Sequence, residues 1–445
     1  MTRHDTTRHD TTRHDSCALK TVVIGNLQGV VHALTSIRDS KRYICDSVIT
    51  ENYYGVNFWK YFFHRSSFRK KLRLLLQVIQ AYRSVRINHK NIFRGIRVYY
   101  NSDDMSAGLF DMVPQKVFDE ADVFLIVCND NSSSMFEQMT SDYASGLIKR
   151  GISKEKIFVV PNTIYSYGAD IPVIDGETLS PLCKKLSDVR PVLRYMEYHD
   201  TDFCNLKCKG CGHLANKVRE LEFAVPDKFR LSLEKLKEKF ANITVLRIMG
   251  GEPLLCKELY EYIDAAHEVF PYSQVKIVTN GLLYRNITAR TIESIRKASA
   301  EIQITQYPPT RKIANEILSF CEENGLKVLI DGPVKFFLRR ILSDKNKSFR
   351  DIWFSCRSRY CHFLHGTVFF PCPRAWTQSD PKFRDVITKE LLSESERNEY
   401  SYDLTGDIAD DGWDILMKFE SPISVCSKCG DKLELFEWES EAGIK

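Results

Sequence analysis

Five short apolar runs, at residues 193–198, 244–249, 274–279, 301–305 and 327–330, alternate with stretches of helical periodicity. Phe229, Leu233, Leu236 and Phe240 recur at steps of four, three and four, and Leu259, Ile263, Ala266 and Phe270 follow a similar rule. Strands and helices alternating at this interval predict right-handed βαβ crossovers and a parallel sheet. Sites in such sheets open beyond the carboxyl ends of the strands. The residues that stand at those ends therefore carry the chemistry.

Just past the first run lies Phe203-Cys204-Asn205-Leu206-Lys207-Cys208-Lys209-Gly210-Cys211-Gly212. Three thiolates this close fit three corners of one cubane cluster. Iron–sulfur clusters usually take four Cys, so a set of three leaves one iron open for a substrate or cofactor. A zinc site or three unrelated thiols are the alternatives. Structural zinc takes four ligands in paired C-x2-C form, and here only Cys208 and Cys211 make such a pair.

The second run ends in Gly250-Gly251-Glu252-Pro253, the third in Thr279-Asn280-Gly281 and the fourth in Thr305. Two glycines let backbone approach a ligand closely, and the following Pro stiffens the exit. With C-x3-C-x2-C upstream, these four motifs resemble, in order and spacing, those of the radical S-adenosylmethionine (SAM) enzymes. The resemblance covers about residues 190–345 and implies a partial (βα)6 TIM-like barrel. It implies a [4Fe-4S] cluster on Cys204, Cys208 and Cys211. It also implies SAM bound by Gly250, Gly251, Glu252, Pro253, Thr279, Asn280 and Thr305, with Glu252 toward the SAM ammonium and Thr305 near its ribose and carboxylate. No side chain is assigned as catalytic. One electron would cleave SAM to methionine and a 5′-deoxyadenosyl radical, which takes hydrogen from a C–H bond; a reductase- or flavodoxin-type donor would supply the electron.

The stretch Glu197 to Ala215 looks more narrowly like a branch often found beside surface-glycan genes, in which Cys-Lys-Gly-Cys is followed by an acidic residue, His and Phe. Here Gly212 and Leu214 replace the outer two, and His213 alone keeps the motif, lining the site near the cluster or standing behind it. The likeness implies a sugar or glycan intermediate as substrate, oxidised or epimerised.

Cys356, Cys361, Cys372, Cys426 and Cys429 form a second group. It resembles the auxiliary-cluster extensions called SPASM or twitch domains, and implies a second [4Fe-4S] cluster on four of the five, with the spare drawn from Cys356 and Cys361. A zinc knuckle on Cys426 and Cys429 is the alternative. Because SPASM extensions are frequent in peptide maturases, a peptide substrate is the second functional reading. A non-catalytic glycan-assembly or membrane-docking protein with a relic barrel is the third; the intact cysteine triad and Gly-Gly-Glu-Pro argue against it.

The rest of the 445 residues divides further. Residues 1–15 are near-copies of Thr-Arg-His-Asp-Thr without apolar anchors and read as a disordered tail. Residues 16–185 carry α/β signals at Thr21–Gly25, Asp122–Cys128, a helix over about 132–150 and Ile157–Val160, and resemble the Rossmann-like domain of some sugar-modifying transferases. The glycines are Gly25-x3-Gly29, not G-x-G-x-x-G, which makes dinucleotide binding a weak reading. Pro181–Arg190 reads as a linker, 190–345 as the barrel and 346–445 as a small Cys-rich domain. Between Glu51 and Asp103 no acidic residue occurs among eleven Lys or Arg. With the aromatic residues from Phe58 on, the segment 58–97 suits an anionic membrane surface, a phosphorylated glycan carrier or simply solvent. A net charge of +5 and the lack of a recognition module exclude nucleic acid as the expected partner. Fourteen Cys in metal-like groupings, without an apolar leader, point to a reducing cytoplasm, with contact at the inner membrane face as an option.

Overall fold

The computed structural model describes residues 19–25, 33, 43–50, 97–100, 110, 113–127, 133–160, 174–175, 178–334, 336–341, 348–356, 358–383, 393–429 and 432–443. The repeat tail, Gly29, Cys128 and nearly all of the basic segment 58–97 lie outside these. The chain divides into two compact units, Met1–Val189 and Arg190–Lys445.

In the first unit β1 (Leu19–Gly25), β2 (Tyr43–Thr50), β3 (Arg97–Tyr100), β4 (Val123–Val127) and β5 (Ile157–Val160) form a parallel sheet in the order β3-β2-β1-β4-β5. Helix α1 (Gln115–Asp119) precedes β4, and α2 (Ser133–Lys149) links β4 to β5. Strand β4, VFLIV, is buried at every position, as a strand covered on both faces must be. A Cβ on Gly25 would lie 1.6 Å from the Val127 carbonyl oxygen, so close packing of the strand ends accounts for this glycine. A short ribbon of β6 (Ile174–Asp175) and β7 (Thr178–Leu179) follows. The expected linker Pro181–Arg190 instead contributes an edge strand: β8 (Lys184–Lys185) pairs antiparallel with β5, and Leu186 beside it is fully buried. The pairing of Lys184 and Lys185 with β5 and the burial of Leu186 hold the segment against the first unit.

The second unit carries the sheet β13-β12-β11-β10-β9-β15-β16-β17. Strands β9 (Val192–Thr201), β10 (Asn242–Gly250), β11 (Gln274–Thr279), β12 (Glu301–Ile304) and β13 (Lys327–Ile330) are parallel and in chain order. They are joined by α3 (Pro226–Lys239), α4 (Leu259–Val269), α5 (Ala289–Lys297), the short α6 (Pro308–Lys312) and α7 (Ala314–Glu323). Tyr198 of β9 faces the helices: its ring lies 4.1 Å from Phe229 of α3 and 5.7 Å from Tyr262 of α4, centroid to centroid. All three are fully buried.

The six-strand expectation is met differently. After β13 only residues 331–335 precede β14 (Phe336–Ile341), too few for a parallel crossover, which needs about a dozen or more. Strand β14 pairs antiparallel with β18 (Lys432–Glu437) instead. The sixth parallel strand is β15 (His362–His365), on the opposite edge beside β9, continued by β16 (Val368–Phe370) and β17 (Tyr402–Asp403). Two short helices, α8 (Phe349–Ser355) and α9 (Pro373–Ser379), flank this extension. Among the described residues no helix is long and apolar enough to cross a membrane.

Candidate functional site

The loop Cys204–Cys211 leaves the carboxyl end of β9 and is gripped at once by the end of β10. Gly251 N–H donates to Thr201 O at 2.7 Å and Glu252 N–H to Phe203 O at 3.0 Å. A Cβ on Gly250 would lie 2.1 Å from Thr201 O, and one on Gly251 only 1.9 Å from Phe203 O. The two glycines are thus required by the contact between the strand end and the cysteine loop.

Cys204, Leu206, Cys208, Ala215 and Trp438 form one buried cluster, with Cys211, Leu282, Tyr307 and Val334 packed against it. These come from the ends of β9, β11, β12, β13 and β18, so the strand ends do converge. Burial, and then the Glu252 charge, push the Cys204 thiol up to about 11. Burial pushes Cys208 to about 12, opposed by an N–H from Trp438, and raises Cys211 as well. Three facing thiols in an apolar pocket are costly to ionise without a cation among them, and soft sulfur donors select iron–sulfur chemistry or zinc. The donor set fits a cluster. Among the described residues no three or more His, Cys, Asp or Glu are gathered as a site for a single ion; a cubane instead spreads its thiolates over separate irons.

Glu252 is fully buried, and its carboxylate ties two strand ends together. It accepts from Leu254 N–H at 3.1 Å, from Asn280 N–H at 2.8 Å and from the Thr279 hydroxyl. Burial raises its pKa to about 7 against the pull of these three donors. Asn280 turns its amide to Asn205 Oδ1, at 2.8 Å, with Cys204 Sγ at 3.8 Å. Thr305 N–H donates to Thr279 O at 3.0 Å, and Pro253 opens the buried turn after Glu252. The SAM-site residues taken from sequence therefore lie together around the thiol pocket.

Sequence reasoning gave His213 a place near the cysteines but not its partners. His213 Nδ1 lies 3.0 Å from His199 Nε2, whose other nitrogen meets Asp202 Oδ1 at 2.8 Å. His365 and Lys382 reach the second Asp202 oxygen at 3.1 and 2.6 Å. Burial lowers the His199 pKa to about 4. Burial alone would raise Asp202, yet its hydrogen bonds to His199 and His365 hold it well below the usual carboxylate range. Nothing in the spacing of these residues announces the network.

A second polar constellation covers the sheet face opposite the helices. Tyr195 donates to Glu197 Oε1 at 2.5 Å; Arg247, the register partner of Glu197, donates to Gln303 Oε1 at 2.8 Å; Gln303 donates to Asp331 Oδ2 at 3.0 Å. Lys276 and Glu301 pair at 2.7 Å on neighbouring strands. Glu197 Oε2 and Arg247 Nε are buried and lack a partner.

In the C-terminal group Cys356 caps α8, Cys372 opens α9, and Cys426 lies within, and Cys429 just after, the 3-10 turn Ser424–Lys428 that packs on α8. Burial, then the Cys429 and Cys356 thiols, push Cys372 to about 12. The Cys361 thiol is raised by burial, then by the nearby Glu197 carboxylate.

Residues 198–317 match the family model described as the Radical SAM superfamily. An S-adenosylmethionine-dependent nucleotide dehydratase of Fibrobacter sp. (strain UWH6) is 38% identical over 92 residues, 19% of this chain and 27% of that protein. A GTP 3′,8-cyclase of Aquifex aeolicus (strain VF5) is 25% identical over 228 residues, 50% of this chain and 68% of that protein. Thus the chain spans about a quarter of the first relative and about two thirds of the second. Among solved structures, BtrN in complex with AdoMet and 2-DOIA aligns over 55% of this chain and 95% of its own, with 18% identity and a TM-score of 0.33. The family model thus lies on the very strand ends that enclose the three thiols, and residues 198–317 are similar to the radical SAM superfamily, whose members use a [4Fe-4S] cluster and SAM.

Proposed function

We propose that the protein is a radical SAM oxidoreductase acting on a hydroxyl-rich substrate, a sugar or glycan intermediate. The observation that carries the substrate class is the pair Glu197 Oε2 and Arg247 Nε. One is an acceptor and the other a donor, both desolvated, on adjacent strands at matched register. A substrate hydroxyl answers both, donating to the carboxylate while accepting from the guanidinium, and so recovers the cost of leaving them bare. Gln303 and Asp331 extend the same alternation of donor and acceptor.

Cys204, Cys208 and Cys211 would hold the cluster, and Gly250–Pro253, Thr279, Asn280 and Thr305 would line the SAM site. When bound, cluster and SAM supply a one-electron cleavage that yields a radical able to take hydrogen from an unactivated C–H bond. Leu282, Tyr307, Val334 and Trp438 exclude water from that pocket. Glu252 holds the ends of β10 and β11 in register and presents negative charge beside Cys204.

We read Cys356, Cys372, Cys426 and Cys429 as the ligands of a second [4Fe-4S] cluster, because Cys372 faces Cys429 and Cys356, while Cys361, which also faces Cys372, lies first against the Glu197 carboxylate. Cys361→Ser is then expected to keep the full iron content, whereas Cys429→Ser loses up to about four irons per chain, counted after anaerobic reconstitution. Equal losses in both would put Cys361 in the ligand set. The strand order of the first unit supports its Rossmann-like assignment.

The substrate reading is tested by hydrogen transfer. The reconstituted enzyme is incubated with SAM, dithionite and carbon-deuterated sugar phosphates or nucleoside diphosphate sugars, and 5′-deoxyadenosine is weighed by mass spectrometry. Deuterium arriving from a carbohydrate, and lost in Arg247→Ala while unlabelled SAM cleavage persists, is the expected outcome. Deuterium arriving only from a peptide would transfer the reading to peptide modification.

A further inference from the structure

The segment Trp438–Glu441 follows β18 and lies along the cysteine loop, about 230 residues away in sequence. All four of its residues bind the loop or its exit. Trp438 Nε1–H donates to Cys208 Sγ at 3.2 Å. Glu439 O accepts from Lys209 N–H at 2.9 Å, and its carboxylate meets Lys209 Nζ at 2.8 Å. Ser440 forms an antiparallel bridge with Cys208, and its hydroxyl donates to Leu206 O at 2.6 Å. Glu441 N–H donates to Lys207 O at 2.9 Å, while its side chain takes Asn216 at 2.9 Å and Lys217 at 3.2 Å.

The loop needs such partners. It turns through a positive φ of 44° at Lys207, which costs a non-glycine residue, and of 73° at Gly210. Regular structure supplies few of its backbone bonds, so the Leu206 and Lys207 carbonyls and the Lys209 N–H are satisfied from the strap.

We infer that Trp438–Glu441 is a strap that fixes the cluster loop, and that the Trp438 indole N–H on Cys208 is a positioning contact that raises the reduction potential of the group bound there. The inference rests on the cluster reading above. A donor aimed at a ligating sulfur draws off negative charge and so favours the reduced, more negative state. The closest side-chain donor falls on one sulfur. Cys211 is approached by backbone N–H groups of residues 213–215, Cys204 by those of Leu206 and Lys207 and by the Asn280 amide at 3.8 Å, and Cys208 by its own N–H and, at 3.2 Å, by the indole. Trp438 is itself 7% exposed, with its ring 5.9 Å from that of Tyr307, so the bond is shielded from competing water.

The test compares wild type with Trp438→Phe, which keeps an aromatic, though smaller, ring and loses the N–H, and with a chain ending at Glu437. Each is reconstituted with iron and sulfide, its iron is counted, and the SAM-sensitive electron paramagnetic resonance signal is followed through a redox titration. For Trp438→Phe the iron content is expected to stay at the wild-type level. At the wild-type midpoint its ratio of reduced to oxidised cluster should fall about tenfold, a shift of about 59 mV to more negative potential. The shortened chain is expected to lose iron from the loop as well. Pulsed resonance on wild-type protein labelled with 15N at the indole needs no variant, and should show nitrogen coupling to the reduced cluster. An unchanged midpoint in fully loaded Trp438→Phe, or no such coupling, overturns the tuning role. Full loading of the shortened chain overturns the strap. A wild type that takes up no SAM-sensitive cluster fails at the earlier reading, and so is told apart from either.

Discussion

Replacing Cys204, Cys208 and Cys211 together by Ala is expected to abolish 5′-deoxyadenosine release and to remove about four irons per chain, leaving about four on the C-terminal cysteines. Activity falls completely because a second cluster held by four cysteines would offer SAM no open iron, and no partial residue of catalysis is available from the binding pocket alone. Stability of the metal-free chain is expected to change little. The three thiols are buried against Leu206, Ala215 and Trp438, and burial raises all of them, which keeps them neutral. Alanine then removes only small, uncharged groups at the cost of a small cavity, so the variant folds and its loss is confined to the metal. Iron and sulfide analysis, the paramagnetic signal with and without SAM, and a thermal unfolding curve decide the matter. SAM cleavage surviving in the triple variant would show that the loop is not the SAM site, and zinc in place of the C-terminal iron would remove the second cluster while leaving the first.

The sheet and the strand ends were legible because they depend on local rules. Apolar runs such as Leu193–Tyr198 and Val275–Thr279 are strands by periodicity, and Gly250-Gly251-Glu252-Pro253 is a turn by composition. The motifs then fell on the carboxyl ends by topology, and the pocket around Cys204 and Cys208 joins the ends that topology named. Three features were not legible. The edge position of β15 depends on which side of β9 is free, and that depends on where β14 goes; no residue of His362–His365 encodes it. The Asp202 network joins residues 199, 202, 213, 365 and 382, which share no spacing. Trp438 meets Cys208 because β18 pairs with β14, an antiparallel match between segments some ninety residues apart. Long-range pairing chooses partners by mutual fit, and such fit leaves no periodic trace in either segment.

Glu252→Ala is expected to be the most damaging single substitution at the site in terms of folding, costing about 3 kcal/mol or more in denaturant unfolding. The carboxylate satisfies Leu254 N–H, Asn280 N–H and the Thr279 hydroxyl inside a pocket without exposure. Alanine leaves all three buried donors bare, at about 1–3 kcal/mol each, and the ends of β10 and β11 lose their tie. Glu252→Gln separates this structural role from the charge. Its single oxygen still serves Asn280, and its amide donates to Thr279 Oγ1, so only Leu254 goes without. The pH dependence then carries the sign of the burial effect. In the folded chain the Glu252 pKa is raised from 4.5 to about 7, so its neutral form is favoured by folding. The stability it contributes is therefore complete below about pH 4.5 and is lost as pH rises through about 7. Protein purified without iron should lose this increment between those limits, and Glu252→Gln should not. SAM reverses the requirement, since an ammonium beside the carboxylate favours the charged form. SAM affinity of the reconstituted wild type should accordingly rise with pH up to about 7 and level off, while the Gln variant binds more weakly and without that slope. Calorimetric titration at several pH values reads both. A Gln variant with the wild-type slope would place the titrating group elsewhere and leave Glu252 only its part in joining the strand ends.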